Sequence, residues 1–194
     1  NTVCVQPTGG QIVGFNTDVY GIAQSVREAG DLSTPSAMIL GARATASSAL
    51  AACVELGAKE HLTIAARNHG GPGSAVAAAS RMDLSPSLVK LTDNLVGALP
   101  GTGLLISTLP AGVADDLADR IDEAAPDLSG LTVLDVIYHP WPSRLVEATR
   151  ARGARIVPGW AMLLHQAVSQ VRLFTNRTPN FDVMAEALHK ALAE

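Results

Sequence analysis

The chain has 194 residues, 47% of them hydrophobic and only 4% aromatic, enough to bury a sizeable core and better suited to close-packed α/β layers than to an aromatic-rich sandwich. A formal net charge of −4, with no lysine or arginine cluster, argues against nucleic acid as a partner. Two cysteines, Cys4 and Cys53, with no CxxC pair, argue against a metal centre or a disulfide scaffold and fit a reducing cytoplasm; no apolar run is long enough to span a bilayer, and no basic-then-apolar secretion signal is seen.

Residues Asn1–Phe15 alternate loosely around "PTGGQ", which predicts a short hairpin turning at Gly9 and Gly10. From Asp18, the residues Val19, Ile22, Ala23 and Val26 keep helical spacing until Gly30 ends the pattern. After the linker "DLSTP" the pattern alternates strand with helix. It predicts strands over Ala37–Leu40, His61–Ala66, Leu88–Leu91 (the weakest), Leu104–Ser107, Thr132–Val136 and Arg155–Val157. Between them it predicts helices over Thr45–Leu56, Ser74–Ser80, Ala114–Ile121 and Ser143–Arg152. Such alternation predicts a parallel sheet covered on both faces. After Gly159 the strands stop, and two helices, Trp160–Phe174 and Phe181–Leu192, follow, joined by "TNRTPN".

The stretch "SAMILGARATASSALAA" from Ser36 has the outline of a dinucleotide turn: a strand, a tight bend at Gly41, then a helix whose N-terminus aims at an anion. Ala46 holds the third-glycine position, where a small residue lets helix and strand approach. Arg43 stands where the middle glycine is usual. Either its side chain crowds the phosphate, with backbone strain if φ must be positive, or its guanidinium turns outward and pairs with a phosphate. The second strand ends "LTIAARN", and an arginine there, Arg67, suits the 2′-phosphate of NADP where an acidic residue would suit NAD; Asn68 adds a donor.

Three further stretches resemble the shikimate dehydrogenase family: "NTDVYG" at Asn16, "ISTLPAG" at Ile106, and the run from "DVIYHPWP" at Asp135 through "GWAMLLHQAVSQ" at Gly159. The opening Asn1–Thr2 resembles the end of that family's substrate-side asparagine–threonine motif. The resemblance implies a Rossmann-like doubly wound parallel sheet with C-terminal helices returning to a truncated substrate domain. The corresponding division is 1–17 for a substrate-domain remnant, 18–158 for the NADP-binding domain and 159–194 for the helices that complete the substrate domain. It implies NADP-dependent, reversible reduction of 3-dehydroshikimate to shikimate, in aromatic amino-acid and chorismate biosynthesis, by an enzyme of the cytoplasm.

By the same resemblance, Asp18 is the carboxylate of a lysine–aspartate catalytic pair, and Asn1, Tyr138 and Gln166 contact substrate. Gly41, Ala42, Arg43 and Ala44 match the phosphate turn. Ala66, Arg67 and Asn68 match the adenosine-phosphate clasp, with Ala66 in place of the usual asparagine. Thr108, Val136, Gly159 and Met162 match positions near the nicotinamide. The family's catalytic lysine falls before Asn1, so the 194 residues alone are expected to show no appreciable turnover, and apolar surface left by the missing part of the substrate domain points to self-association. Rival readings are an NAD-linked quinate/shikimate dehydrogenase, against which Arg67 argues, and a non-catalytic nucleotide-binding module, which Arg43 motivates. Taken alone, Asp18 also reads as a carboxylate facing a helix dipole, Met162 as core filler and "YHPWP" as a stiff turn. Gln166 lies four residues after Met162 and Gln170 four beyond it, on one helix face, and an amide that both donates and accepts suits a polyol; the scattered histidines carry no assigned chemistry.

Overall fold

The computed structural model describes residues 1–5 and 9–193. The chain opens with an antiparallel hairpin, β1 (Thr2–Val5) and β2 (Ile12–Phe15), in which Thr2 lies opposite Phe15 and Val5 opposite Ile12. Gly9 and Gly10 take positive φ in its turn, while Pro7 and Thr8 of the predicted bend lie outside the described residues. Helix α1 (Thr17–Ala29) starts at Asn16, whose side chain accepts from the Asp18 N–H, and ends at Gly30 with φ of 114°.

The remaining strands form one parallel sheet. In chain order the elements are β3 (Ser36–Leu40), α2 (Ala44–Glu55), β4 (His61–Ala65), α3 (Ala75–Arg81), β5 (Ser87–Val89), β6 (Leu104–Ser107), α4 (Asp115–Ala124), β7 (Thr132–Asp135), α5 (Arg144–Ala151) and β8 (Arg155–Pro158). The spatial order is β5-β4-β3-β6-β7-β8, so the winding reverses between β3 and β6, where Leu40 pairs with Ser107. Ligands of such sheets bind outside the carboxyl ends of the strands at this reversal.

Side-chain alternation explains the two covered faces. Ala37, Ile39, Leu104 and Ile106 pack with α1, α2 and α3 on one face, and Met38, Leu40, Leu105 and Val133 pack with α4 and α5 on the other. All five residues of β3 are buried. Helix α2 lies close against the sheet because its inward face is small: Ala46, Ala49, Ala52 and Cys53 are fully buried. Burial pushes the Cys53 thiol up to about 12, so it packs as a small hydrophobe.

The predicted Leu88–Leu91 strand is present as the shorter β5, which starts one residue earlier and already ends at Val89, and a 3₁₀ segment at Val96–Gly101 was not anticipated. That segment carries two glycines and Pro100, which obscure its helical spacing, yet it buries Val96 and Leu99 against α4. After β8, α6 (Gly159–Thr175) crosses α1, and α7 (Phe181–Ala193) folds back along α6. His165 stacks on Phe181 with ring centroids 5.1 Å apart, and Trp160 meets His189 edge-on at 4.7 Å. No helix among the described residues is long and apolar enough to cross a membrane.

Candidate functional site

At the carboxyl edge of β3 the chain turns sharply. Gly41 has φ of 109°, and a Cβ there would overlap the Thr108 hydroxyl, so only glycine fits. Thr108 closes the opposite wall: its N–H and its hydroxyl both donate to the Leu40 carbonyl, each at 2.8 Å. Gly41 N–H donates to Ala65 O at 2.8 Å, and Ala75 N–H donates to Ala42 O at 2.9 Å, which fastens the turn to the loop after β4. Helix α2 begins at Arg43 with no side-chain cap and no acidic residue in its first turn. Its leading N–H groups are therefore open to an anion. The possibility of strain at Arg43 does not arise, because its φ is −102° in the extended region.

Gly41, Ala42, Arg43, Ala66, Arg67, Asn68 and Thr108 line one cavity of about 380 Å³, roofed by Leu91, Leu109 and Pro110. Arg67 and Leu109 also border a neighbouring cavity of about 590 Å³ in front of α4. Asn68 Oδ1 accepts from Gly70 N–H at 2.8 Å and tightens the loop that carries Arg67. A Gly-gated turn, an uncapped helix and two exposed arginines fit a diphosphate-bearing nucleotide.

A second constellation joins the chain's first residues to α1 and α6. Asn1 Nδ2 donates to Asp18 Oδ1 at 2.6 Å and to Thr17 Oγ1 at 3.1 Å, and Thr17 N–H donates to Asn1 Oδ1 at 2.9 Å. Thr17 Oγ1 and Asn1 Nδ2 both reach Gln166 Oε1, at 3.2 and 3.4 Å, and Gln170 Nε2 donates to Thr2 Oγ1 at 3.1 Å. Gly21 makes this approach possible, since a Cβ there would lie 2.7 Å from Met162 O and 3.0 Å from Gln166 Cβ. The glycine of "NTDVYG" is thus the contact that lets α6 bring Gln166 to Asp18. Asn16 Nδ2 donates to Ser48 Oγ at 2.9 Å and ties the start of α1 to α2, so the cluster and the phosphate turn share one edge of the sheet.

A third group sits at the end of β7. Asp135 is fully buried; Oδ2 accepts from Ser143 Oγ at 2.6 Å and Oδ1 from Ile137 N–H at 3.2 Å, so one carboxyl holds both ends of the segment carrying Tyr138. Desolvation raises its pKa, outweighing the bonds from Ser143 and Ile137 and the nearby Ser107, which favour the charged form. Ser107 Oγ is itself buried without a hydrogen bond of ordinary geometry. Gly159 packs on the same strand end: a Cβ would lie 2.6 Å from Asp135 O and from Ile137 O.

The expected residues therefore fall into separate places. Asn1, Asp18 and Gln166 meet, and most of the cofactor set lines one cavity. Ala44 lies just beyond that cavity in the first turn of α2, and Val136 and Met162 belong to the edge of the core. Tyr138 is 48% exposed and borders a different cavity, of about 450 Å³, with Trp141, Trp160 and His189. Sequence reasoning missed Thr17, Gly21 as a packing residue, and Asp135. The first two stand inside the quoted "NTDVYG" motif; a lone acid ending an apolar strand, as at Asp135, was the available signal for the third. His165 also makes an unforeseen contact, with Nε2 2.9 Å from Glu28 Oε2. Among the described residues, no three His, Cys, Asp or Glu side chains gather as a metal site.

Comparison with known proteins identifies the family. Residues 159–189, α6 and most of α7, match the family model "Shikimate 5'-dehydrogenase C-terminal domain". The chain is 31% identical to a shikimate dehydrogenase (NADP(+)) of Thermosynechococcus vestitus over 93% of its length, but spans only 63% of that protein. It is 32% identical to the corresponding protein of Methylocella silvestris, covering 99% of this chain and 68% of that one. The crystal structure of Mycobacterium tuberculosis shikimate dehydrogenase superposes with a TM-score of 0.79 at 31% identity, over 97% of this chain and 66% of that one. Shared sequence along nearly the whole chain, a shared doubly wound sheet and a matching C-terminal helical unit lead to one assignment: the chain belongs to the shikimate dehydrogenase family.

Proposed function

We propose that the chain forms the NADP-binding portion, and part of the substrate site, of an enzyme that interconverts 3-dehydroshikimate and shikimate. The observation that carries the reading is the cluster of Asn1, Thr17, Asp18 and Gln166, held at the same sheet edge as an uncapped phosphate turn. The relatives' NADP(+) designation supports the cofactor, and Arg67 supplies the charge that a 2′-phosphate requires. When bound, NADPH supplies the hydride that reduces the ketone carbon.

The chain's own groups do the positioning. The free N–H groups of α2 and the Gly41 turn would hold the diphosphate of the cofactor, and Arg67 with Asn68 would hold its adenosine end. Gln166 Nε2 and the Asn1 amide offer donors and acceptors to vicinal hydroxyls. The ketone oxygen gains a proton as its carbon gains the hydride. Asp18 Oδ2 makes no hydrogen bond among the described residues and is free to orient the ammonium group that gives this proton. Lys59, Lys90 and Lys190 are the chain's lysines, and none pairs with Asp18 among the described residues, so we infer slow turnover by these residues alone. Residues 1–17 together with α6 and α7 act as one substrate-side unit, supported by the Thr2–Gln170 and Asn1–Gln166 bonds.

The test is shikimate oxidation followed by NADPH absorbance, alongside shikimate titration of the protein preloaded with NADP+. The reading expects saturable shikimate binding that Gln166→Ala weakens about tenfold, the effect of losing charge-free but multiple hydrogen bonds. No shikimate binding with NADP+ bound would refute it.

A further inference from the structure

We propose that Arg43 is a specificity-determining residue for the cofactor, a second guanidinium that joins Arg67 on the 2′-phosphate of NADP. The inference rests on the NADP reading above. Three observations carry it. First, Arg43 sits in extended backbone, so its side chain is placed without strain in a turn where glycine would otherwise offer bare backbone. Second, its guanidinium is directed to the loop after β4: a Cβ built on Gly71 would lie 3.6 Å from Arg43 Nη1. That loop carries Arg67 and Asn68, and the Ala75–Ala42 hydrogen bond fixes its far end against the turn that carries Arg43. Third, Arg43 and Arg67 line the same cavity, both are exposed, and neither enters an ion pair or a side-chain hydrogen bond among the described residues. By contrast Arg120, which borders the adjoining cavity, is committed to the carbonyls of Leu91, Asp93 and Asp116.

Two unpaired guanidinium groups at one mouth repel each other until a doubly charged anion arrives between them. A phosphomonoester meets that requirement; the ribose hydroxyl of NAD does not. A side chain directed at the diphosphate instead would favour NADPH and NADH equally.

The experiment is titration of the protein with NADPH, NADH and adenosine 2′,5′-bisphosphate, for the unmodified chain and for Arg43→Gly, Arg43→Lys and Arg67→Ala. Circular dichroism verifies that each variant is folded. The expectation is a tenfold or larger loss of NADPH and bisphosphate affinity in Arg43→Gly, an NADH affinity changed less than twofold, and partial recovery in Arg43→Lys. Equal loss for NADPH and NADH would move Arg43 to the diphosphate and overturn the proposal. Unchanged or tighter NADPH binding in Arg43→Gly would do the same. If the unmodified chain bound none of the three probes, the cofactor reading itself would fall; normal NADPH binding with an indifferent Arg43 would remove this proposal alone.

Discussion

The polar cluster around Asn1 and the phosphate turn ahead of α2 share one edge of the sheet and are finished in opposite ways. In the cluster, amide, hydroxyl and carboxylate groups bond to one another, and helix α1 is capped by Asn16. At the turn, α2 is uncapped and its two neighbouring arginines are unpaired among the described residues. The first region is preorganised: its hydrogen-bonding groups are already held in place, so exchanging them for the hydroxyls of the proposed polyol would cost little side-chain entropy. The second stores unmet electrostatic demand, which only an anion satisfies. On the proposed reading, one region would select by geometry and the other by charge.

The sharpest way to break this contrast is to disturb the start of α6, the helix that carries Gln166, where Gly159 packs on the end of β7. Gly159→Ala puts a Cβ 2.6 Å from three backbone atoms of the Asp135–Ile137 segment, which cannot rotate away. A loss of about 3 kcal/mol, at the upper end of overpacking costs, is expected in urea denaturation, with loss of both shikimate and NADPH binding. Gly21→Ala should separate the regions. It pushes α6 away from α1 and costs about 2 kcal/mol, weakening shikimate while leaving NADPH affinity within a factor of two.

Asp135 gives a third, pH-dependent test. Its folded pKa is raised, so the folded state holds its proton at a pH where the unfolded chain has released it. Its contribution to stability is therefore full below the ordinary carboxylate pKa of about 3.9 and declines as pH rises through the folded value. Asp135→Asn should remove that slope from the stability profile. Above the folded pKa, where the ionised carboxylate accepts from both Ser143 and Ile137, it should also cost about 1–2 kcal/mol, because Asn supplies one acceptor in place of two. An unchanged slope would mean that Asp135 is solvated. The smallest effect is expected from Ser48→Ala, which deletes the bond from Asn16 bridging the two regions and costs about 1 kcal/mol, read as a small shift in the urea midpoint with both affinities retained.

Much of the fold was legible because its signals are local. Strands such as "AMIL" and "LLIS" are continuous apolar runs, the mark of a sheet buried on both faces; Gly41 closes the first of them, and Gly30 ends the helix before it. The 3₁₀ segment at Val96–Gly101 was hidden by its glycines and proline, and β5 was faint because it is a three-residue edge strand with Leu88 exposed. The site was legible where chemistry and spacing coincide, as for Gly41 and Arg67. It was not legible where function depends on tertiary approach. Nothing local says that Gly21 faces the Met162 carbonyl, that Thr17 bridges Asn1 and Gln166, or that Asp135 reaches forward to Ser143. Arg43 shows the same limit from the other side: its neighbours in sequence left crowding and pairing equally open, and only its backbone angle removes the strain argument.

The most direct test of the central claim is a crystal structure of the protein grown with NADP+. The account predicts the diphosphate against the Gly41 turn and the free N–H groups of α2, with the 2′-phosphate within hydrogen-bonding reach of Arg67 and Arg43. Well-ordered crystals at saturating NADP+ whose turn holds no nucleotide, or whose nucleotide lies with its 2′-phosphate away from both arginines, would contradict it.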